Sequence, residues 1–181
     1  IADSENIDWI IGPPLKASLA KILNVSPEDD LAEQALLGYR KRFAVTGLFE
    51  NELFDDVKDT LQHLHTQGYR LFLATATPEI YANRILEHFN LLHYFEYPYG
   101  SELSGERTNK GDLIAYILEK EQLNPQECLM VGDREHDIFG ARKNGIETIA
   151  VEYGYGSAQE LDQAKPKARI QKFSDLLQVI A

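Results

Sequence analysis

The sequence predicts an α/β fold: a doubly wound, mostly parallel, Rossmann-like sheet carrying a small α-helical unit. Three observations lead there. From about residue 55 onward, apolar runs of strand length alternate with helical periodicities. The joints between them carry turn signals at Gln67-Gly68, Asn124-Pro125 and Asn144-Gly145. Residues 13–45, by contrast, show helical spacing alone, so the alternation that builds a parallel sheet starts only after them.

In chain order, Pro14 fits the first turn of a helix whose Leu15, Leu19, Ile22 and Leu23 share a face. Residues 26–30 (Ser-Pro-Glu-Asp-Asp) read as a cap with an acidic first turn, leading into a helix over 31–43. Residues 55–68 form an amphipathic helix on Val57, Leu61 and Leu64, stopped by Gly68. A strand over 69–75 follows, then a helix from Pro78 to about Asn90. Residues 95–99 are a weaker strand, which Pro98 marks as edge or irregular. After a loop over 100–109 come a helix over 110–121, a strand over 128–131, a helix reaching Asn144 and a strand over 147–152. A short strand near Ile170 and a closing helix over 174–180 end the chain.

Composition excludes several function classes. With 181 residues, 44% of them hydrophobic, the chain can bury a core of ordinary domain size. A single cysteine, Cys128, forbids an internal disulfide, and its apolar setting predicts an inert buried thiol in a reducing compartment. No apolar run approaches the roughly 20 residues of a membrane span, and residues 1–5 are no basic leader, so a cytoplasmic location is expected. A formal charge of -11 argues against nucleic acid as principal partner, because such binding is driven by phosphate neutralisation. A small anion held by local donors is compatible with it.

The chemistry centres on residues 129–137, where an apolar run stops at Gly132 and Asp133 follows, with Asp137 four positions later. If Asp133 opens a helix, both carboxylates face the same way at the carboxyl end of a strand, the rim where open α/β sheets bind ligands. Clustered carboxylate oxygens there suit a hard cation such as Mg²⁺; the plainer alternative is Asp133 as an ordinary N-cap. Thr75, Ala76 and Thr77 close the first strand, with hydroxyls and N–H groups able to receive an oxyanion, although Thr77 could equally cap a helix. Lys110 opposes the dipole at the start of its helix. An anionic ligand, or a carboxylate partner such as Asp137, would explain it; a solvated surface lysine is the alternative.

Residues 71–77, Lys110 and residues 131–137 (Val-Gly-Asp-Arg-Glu-His-Asp) resemble, in order and spacing, the second, third and fourth motifs of haloacid dehalogenase superfamily phosphatases. Residues 11–15 and 47–53 further resemble the cap and re-entry segments of the phosphoglycolate phosphatase branch, some members of which are described as 5′-nucleotidases. The resemblance implies phosphoryl transfer to small phosphorylated metabolites: an aspartate attacks phosphorus, a second aspartate protonates the leaving oxygen, and water hydrolyses the aspartyl phosphate. It implies Mg²⁺ bound directly by Asp133, with Asp137 one step further out, orienting Lys110 or a metal-held water. Thr75 and the Ala76 N–H would hold phosphoryl oxygens, and Lys110 would balance their charge.

The family's first motif, with its two catalytic aspartates, is absent from the sequence; residues 1–5 resemble the family segment immediately downstream of that motif, so Asp3 is not the nucleophile. The expected organisation is a core remnant over 1–5, an incomplete helical cap over 6–47 and an α/β core over 48–181. The polypeptide as made is expected to exceed 20.5 kDa, and an intact mass equal to that value refutes the expectation. Lys16 and Arg40, on the helical unit, are candidates for meeting the substrate's distal part, with surface charge the alternative. Trp9 and the loop over 153–156 could line a pocket, with packing the favoured reading, and the five histidines show no zinc-ligand spacing. Two further readings are a catalytically inactive binding protein on the same fold and a metal-independent dehalogenase, in which Asp133 and Asp137 would have no evident role.

Overall fold

The computed structural model describes residues 8–11 and 13–180; the expectations for residues 1–5 lie outside them. The chain resolves into two compact units, residues 1–51 and 52–181.

The first unit is helical. α1 (Leu15–Leu23) and α2 (Asp30–Phe43) pack through Ser18, Ala20, Ala32 and Leu36, and the small side chains among these let the backbones approach. Pro14 sits one position before the helix, its carbonyl accepting the first helical bonds from Ala17 and Ser18, and not within the first turn. Asp29 caps α2, its carboxylate accepting from the Leu31 N–H at 2.8 Å. A 3-10 turn over Gly47–Phe49 buries Leu48 completely.

The second unit is the α/β body. α3 (Val57–Thr66) buries Leu61 and Leu64. It ends where Gly68 takes φ 83, which lets the Tyr69 N–H reach back to the Leu64 carbonyl. That turn uses up residue 69, and β1 runs over Phe72–Pro78, starting and ending three positions later than the expected 69–75. α4 (Glu79–His88) begins after Pro78, and no side chain caps it, so Thr77 does not play the cap role. β2 (Tyr97–Ser101) pairs in parallel with β1, Ala74 opposite Tyr99 and Thr75 opposite Gly100. Among the described residues β2 has no second neighbour, which is where Pro98 and its missing donor are tolerated.

α5 (Lys110–Lys120) is capped by Asn109, whose side chain accepts from the N–H groups of Gly111 and Asp112. β3 (Leu129–Gly132), β4 (Glu147–Val151) and β5 (Ala168–Ile170) form a parallel three-stranded sheet in that order. α6 (Glu135–Lys143) and α7 (Ala158–Ala164) connect them, and α8 (Leu176–Val179) closes the chain after a 3-10 turn. β4 shows why the fold is doubly wound. Ile149 and Val151 pack with Leu64, Ile170 and Leu176, while Ala150 between them packs with Ile138, Leu161 and Ala164. Alternate residues of one strand therefore meet helices on opposite faces.

Cys128 precedes β3 rather than lying inside it. It is half-buried, its thiol donates to the Asn124 carbonyl at 3.3 Å, and burial pushes its pKa up, as an inert thiol requires.

Candidate active site

Two glycines bring the site's helices together. Gly111 in α5 and Gly140 in α6 are both buried, and a Cβ on Gly140 would lie 2.9 Å from the Gly111 nitrogen and 2.9 Å from Lys110 Cγ. Only a residue without a side chain permits that approach. It sets Lys110, at the start of α5, beside Asp137 in the first turn of α6.

Lys110 Nζ stands 2.9 Å from Asp137 Oδ1 and donates to the Ala74 carbonyl of β1 at 2.6 Å. One ammonium thus joins the β1–β2 sheet to the helix that follows β3. The Lys110 and Asp137 side chains are only 14% and 8% exposed, so the pair is little screened by solvent. Asp137 Oδ2 accepts from the backbone N–H groups of Asp133 and Arg134, each at 3.1 Å. Gly132 allows this, because a Cβ there would lie 2.5 Å from the Asp137 carboxylate.

Asp133 neither opens α6 nor caps it; the helix begins two residues later. Its carboxylate turns toward the loop after β4, where Oδ2 accepts from the Tyr155 N–H at 2.7 Å. Among the described residues no donor reaches its other oxygen. Asp133 and Asp137 are therefore joined through the Asp133 backbone N–H, which donates to Asp137, and their carboxylates accept from different donors. No group of three or more His, Cys, Asp or Glu that could hold a metal occurs among the described residues. The free oxygen of Asp133 still has the right chemistry for a hard cation, one unprotected carboxylate ligand toward a larger set.

Where the regular pairing of β1 with β2 is interrupted after Thr75, Thr75 Oγ1 accepts from the Thr77 N–H at 3.1 Å, folding the hydroxyl against its own backbone. Ser101 Oγ donates to the Ala76 carbonyl at 2.8 Å. Opposite, Gly100 leaves room for the Thr77 carbonyl, which a Cβ would meet at 2.5 Å. Ala74, Thr75 and Ala76 are thus pinned next to Lys110. Lys16 and Arg40 belong to the helical unit. Lys16 pairs with Glu33 at 2.6 Å, and Lys16 first, then Arg40, lower the pKa of that carboxyl.

Sequence reasoning missed the loop and the helix that hold Asp133. Tyr153 does pack, its ring 4.6 Å from that of Phe54, and burial followed by the charges of Asp56 and Asp133 pushes its phenol up to about 12. The same loop lines the Asp133 site through the Tyr155 N–H, and Gly154 and Gly156 lie against the Asp133 side chain and carbonyl. Glu160 Oε1 accepts from Arg134 Nε and from the Glu135 N–H, both at 2.8 Å. The available signal was the pair of glycines two apart directly after a strand. Trp9 lies beneath the Lys21 ammonium, 4.2 Å from the ring centroid. Among the described residues no helix is long and apolar enough to cross a membrane.

Comparison with known proteins finds relatives of this chain. The family model described as haloacid dehalogenase-like hydrolase matches residues 1–151. A 5′-nucleotidase of Pseudomonas aeruginosa is 39% identical over 178 residues, 98% of this chain and 80% of that protein. Tyrosine-protein kinase PtkA of Mycobacterium tuberculosis is 38% identical over 85% of this chain, which spans about half of that protein (52%). A phosphoglycolate phosphatase of Aliivibrio fischeri is 32% identical over 96% of this chain and 78% of its own. Among solved structures, a predicted phosphatase of Clostridium acetobutylicum superposes with a TM-score of 0.93 at 35% identity, over 99% of this chain and 82% of that one.

Proposed function

This chain belongs to the haloacid dehalogenase-like hydrolase family, and on that premise we propose that it is a Mg²⁺-dependent phosphomonoester hydrolase acting through an aspartyl-phosphate intermediate. Its proposed substrate is a small phosphorylated metabolite of the phosphoglycolate or nucleotide kind, as the names of two relatives support. The observation that carries the reading is the Lys110 ammonium, held between the Ala74 carbonyl of β1 and Asp137. A nearly buried cation fixed beside a strand suits the charge of a phosphoryl group.

In the proposed reaction Thr75 and the Ala76 N–H hold phosphoryl oxygens, Lys110 neutralises them, and Asp137 orients Lys110. Asp133 would hold Mg²⁺, which when bound offsets the negative charge that otherwise repels the nucleophile. A carboxylate oxygen attacks phosphorus, the ester P–O bond breaks, and the leaving alkoxide takes its proton from a second carboxyl; water then cleaves the acyl phosphate. Those two carboxyl groups belong to the family's first motif, which the sequence does not contain. The helical unit is proposed as the family's cap, with Lys16 and Arg40 as candidate specificity residues.

The test is turnover of p-nitrophenyl phosphate by the intact protein with and without Mg²⁺, followed by a panel of phosphoglycolate, nucleoside 5′-monophosphates, sugar phosphates and phosphotyrosine. Phosphotyrosine is included because one relative is named a tyrosine-protein kinase. Metal-dependent release of phosphate is the expected result. Undiminished release in excess chelator refutes the mechanism.

A further inference from the structure

The segment running from the end of β4 into α7 grips the start of α6 at two points. The Tyr155 N–H holds Asp133 Oδ2 at 2.7 Å. Glu160 Oε1 then takes two donors at 2.8 Å, Arg134 Nε and the Glu135 N–H. Glycine at 154 and 156 makes the first grip feasible, since a Cβ on Gly154 would collide with the Asp133 carboxylate and one on Gly156 with the Asp133 carbonyl oxygen. The second grip is stiff because Ser157 caps α7, accepting from the Glu160 N–H at 3.1 Å, so the helix itself fixes where Glu160 stands.

The side chains of Arg134 and Glu160 are 10% and 17% exposed, so their attraction is weakly screened. Burial alone would raise the Glu160 carboxyl, but the Arg134 guanidinium and the Glu135 N–H outweigh it and hold it below the usual carboxylate range. Glu160 is therefore a charged acceptor at the pH of any assay near neutrality. Neither Glu160 nor Tyr155 reaches the phosphate-side groups Thr75 and Lys110; both act on the residues that carry Asp133.

We propose that Glu160 is a positioning residue for the cation site: from α7 it fixes Arg134 and Glu135 while the Tyr155 N–H fixes one oxygen of Asp133, leaving the other presented to a divalent ion. A carboxylate held at one oxygen, on a backbone fixed by its neighbours, loses little further freedom when an ion binds, and partners of this kind are worth about 10–100-fold in metal affinity. The inference rests on the reading of Asp133 as the metal ligand, so its test must separate the two.

Mg²⁺ affinity of the intact protein is measured by titration calorimetry, and Mn²⁺ affinity by electron paramagnetic resonance, for the parent, D133N, E160A, E160Q and G154A, with urea unfolding of each in the absence of metal. D133N is expected to abolish measurable binding. E160A is expected to weaken binding at least about tenfold and E160Q by about threefold, because the amide oxygen still accepts from both donors but lacks the charge. G154A, which pushes on Asp133 without touching the ion pair, is expected to weaken binding at least about tenfold as well. At saturating metal, KM for p-nitrophenyl phosphate in E160A should stay near the parent value, a split that a general loss of structure would not produce. If D133N abolishes binding but E160A and G154A bind within about twofold of the parent, Glu160 only stabilises the fold and the proposal is overturned. If D133N itself binds like the parent, the metal assignment fails and takes the proposal with it. Should E160A not fold, E160Q and G154A decide the matter by the same thresholds.

Discussion

Gly140 is the position where the site can be disturbed without altering any of its polar atoms. A methyl group there would lie 2.9 Å from the Gly111 nitrogen, 2.9 Å from Lys110 Cγ and 3.1 Å from the Lys110 carbonyl carbon, all tighter than van der Waals contact. None of these atoms is the free end of a side chain, so α5 must move away from α6. Overpacking of this kind costs about 1–3 kcal/mol, while replacing glycine by alanine inside a helix returns about 1 kcal/mol. The net loss in Gly140→Ala is therefore at most about 2 kcal/mol, a fall of about 4–8 °C in Tm for a chain of this size. Catalysis should suffer more, because the same displacement draws Lys110 away from Asp137, now 2.9 Å distant. We expect kcat/KM for p-nitrophenyl phosphate to drop at least tenfold, about 1.4 kcal/mol in the barrier, at a temperature where the variant is fully folded. Gly111→Ala provides the milder comparison: its Cβ would meet the exposed Lys143 Cδ, which can swing aside, and the capping Asn109 side-chain oxygen, which need shift only by a few tenths of an ångström, each at 3.2 Å. Its turnover should stay within about threefold of the parent, since overpacking costs little where the neighbour can yield. Melting curves and steady-state kinetics on the two variants check this, and a fully active Gly140→Ala would refute the argument that the glycine contact places Lys110.

Two further outcomes are expected. Lys110→Met strands the nearly buried Asp137 carboxylate and should cost about 3 kcal/mol in urea unfolding, with Asp137→Asn added to it restoring part of the loss; strict additivity in that double-mutant cycle would contradict a direct ion pair. Asp56 should contribute to acid sensitivity: burial would raise its carboxyl, yet hydrogen bonds from Ser174 outweigh this and lower it in the folded state. The Asp56 carboxylate accepts from the Ser174 N–H at 2.7 Å. A depressed folded value means that its contribution is present above the unfolded pKa, about 3.9, and is lost as pH falls through the lower folded one. Asp56→Asn keeps an acceptor but cannot titrate, so its urea midpoint should fall less steeply than the parent's below about pH 4, and identical slopes would exclude Asp56.

Much of the α/β body was legible because it depends on local periodicity. α5 was read almost to the residue, since Asn109 is a strong cap and Leu113, Ile114 and Ile117 face one way. Where the reading slipped, a distant partner decided. β1 begins late because Tyr69 completes the turn that closes α3, and its tail is held by Ser101 and Gly100 from β2. The closing helix is broken into a 3-10 turn and the short α8 where the Ser174 N–H is taken by Asp56. Lys110 stood out in the sequence through an unfavourable position on the helix dipole, and the structure supplies Asp137 as the compensating charge. The spacing of Asp133 and Asp137 was visible; the direction of the Asp133 carboxylate was not, because it is set by a backbone N–H at residue 155, which has no side-chain signature. Glu160 was invisible for a similar reason: no periodicity rule connects residues on separate helices across an intervening strand.

The valence of Lys110 limits what it can do for a ligand. An ammonium carries three hydrogens, and here one points at the Ala74 carbonyl and one at Asp137. Among the described residues a single N–H vector is left over, so a tetrahedral oxyanion seated beside it, as the proposed function requires, would receive one contact from this side chain, and its other oxygens would need other partners, with the chain around residues 75 and 76 proposed among them. The lysine then acts as a directional key and not as a diffuse pool of positive charge. Arginine, with five donors locked in a plane, could not reproduce that stoichiometry.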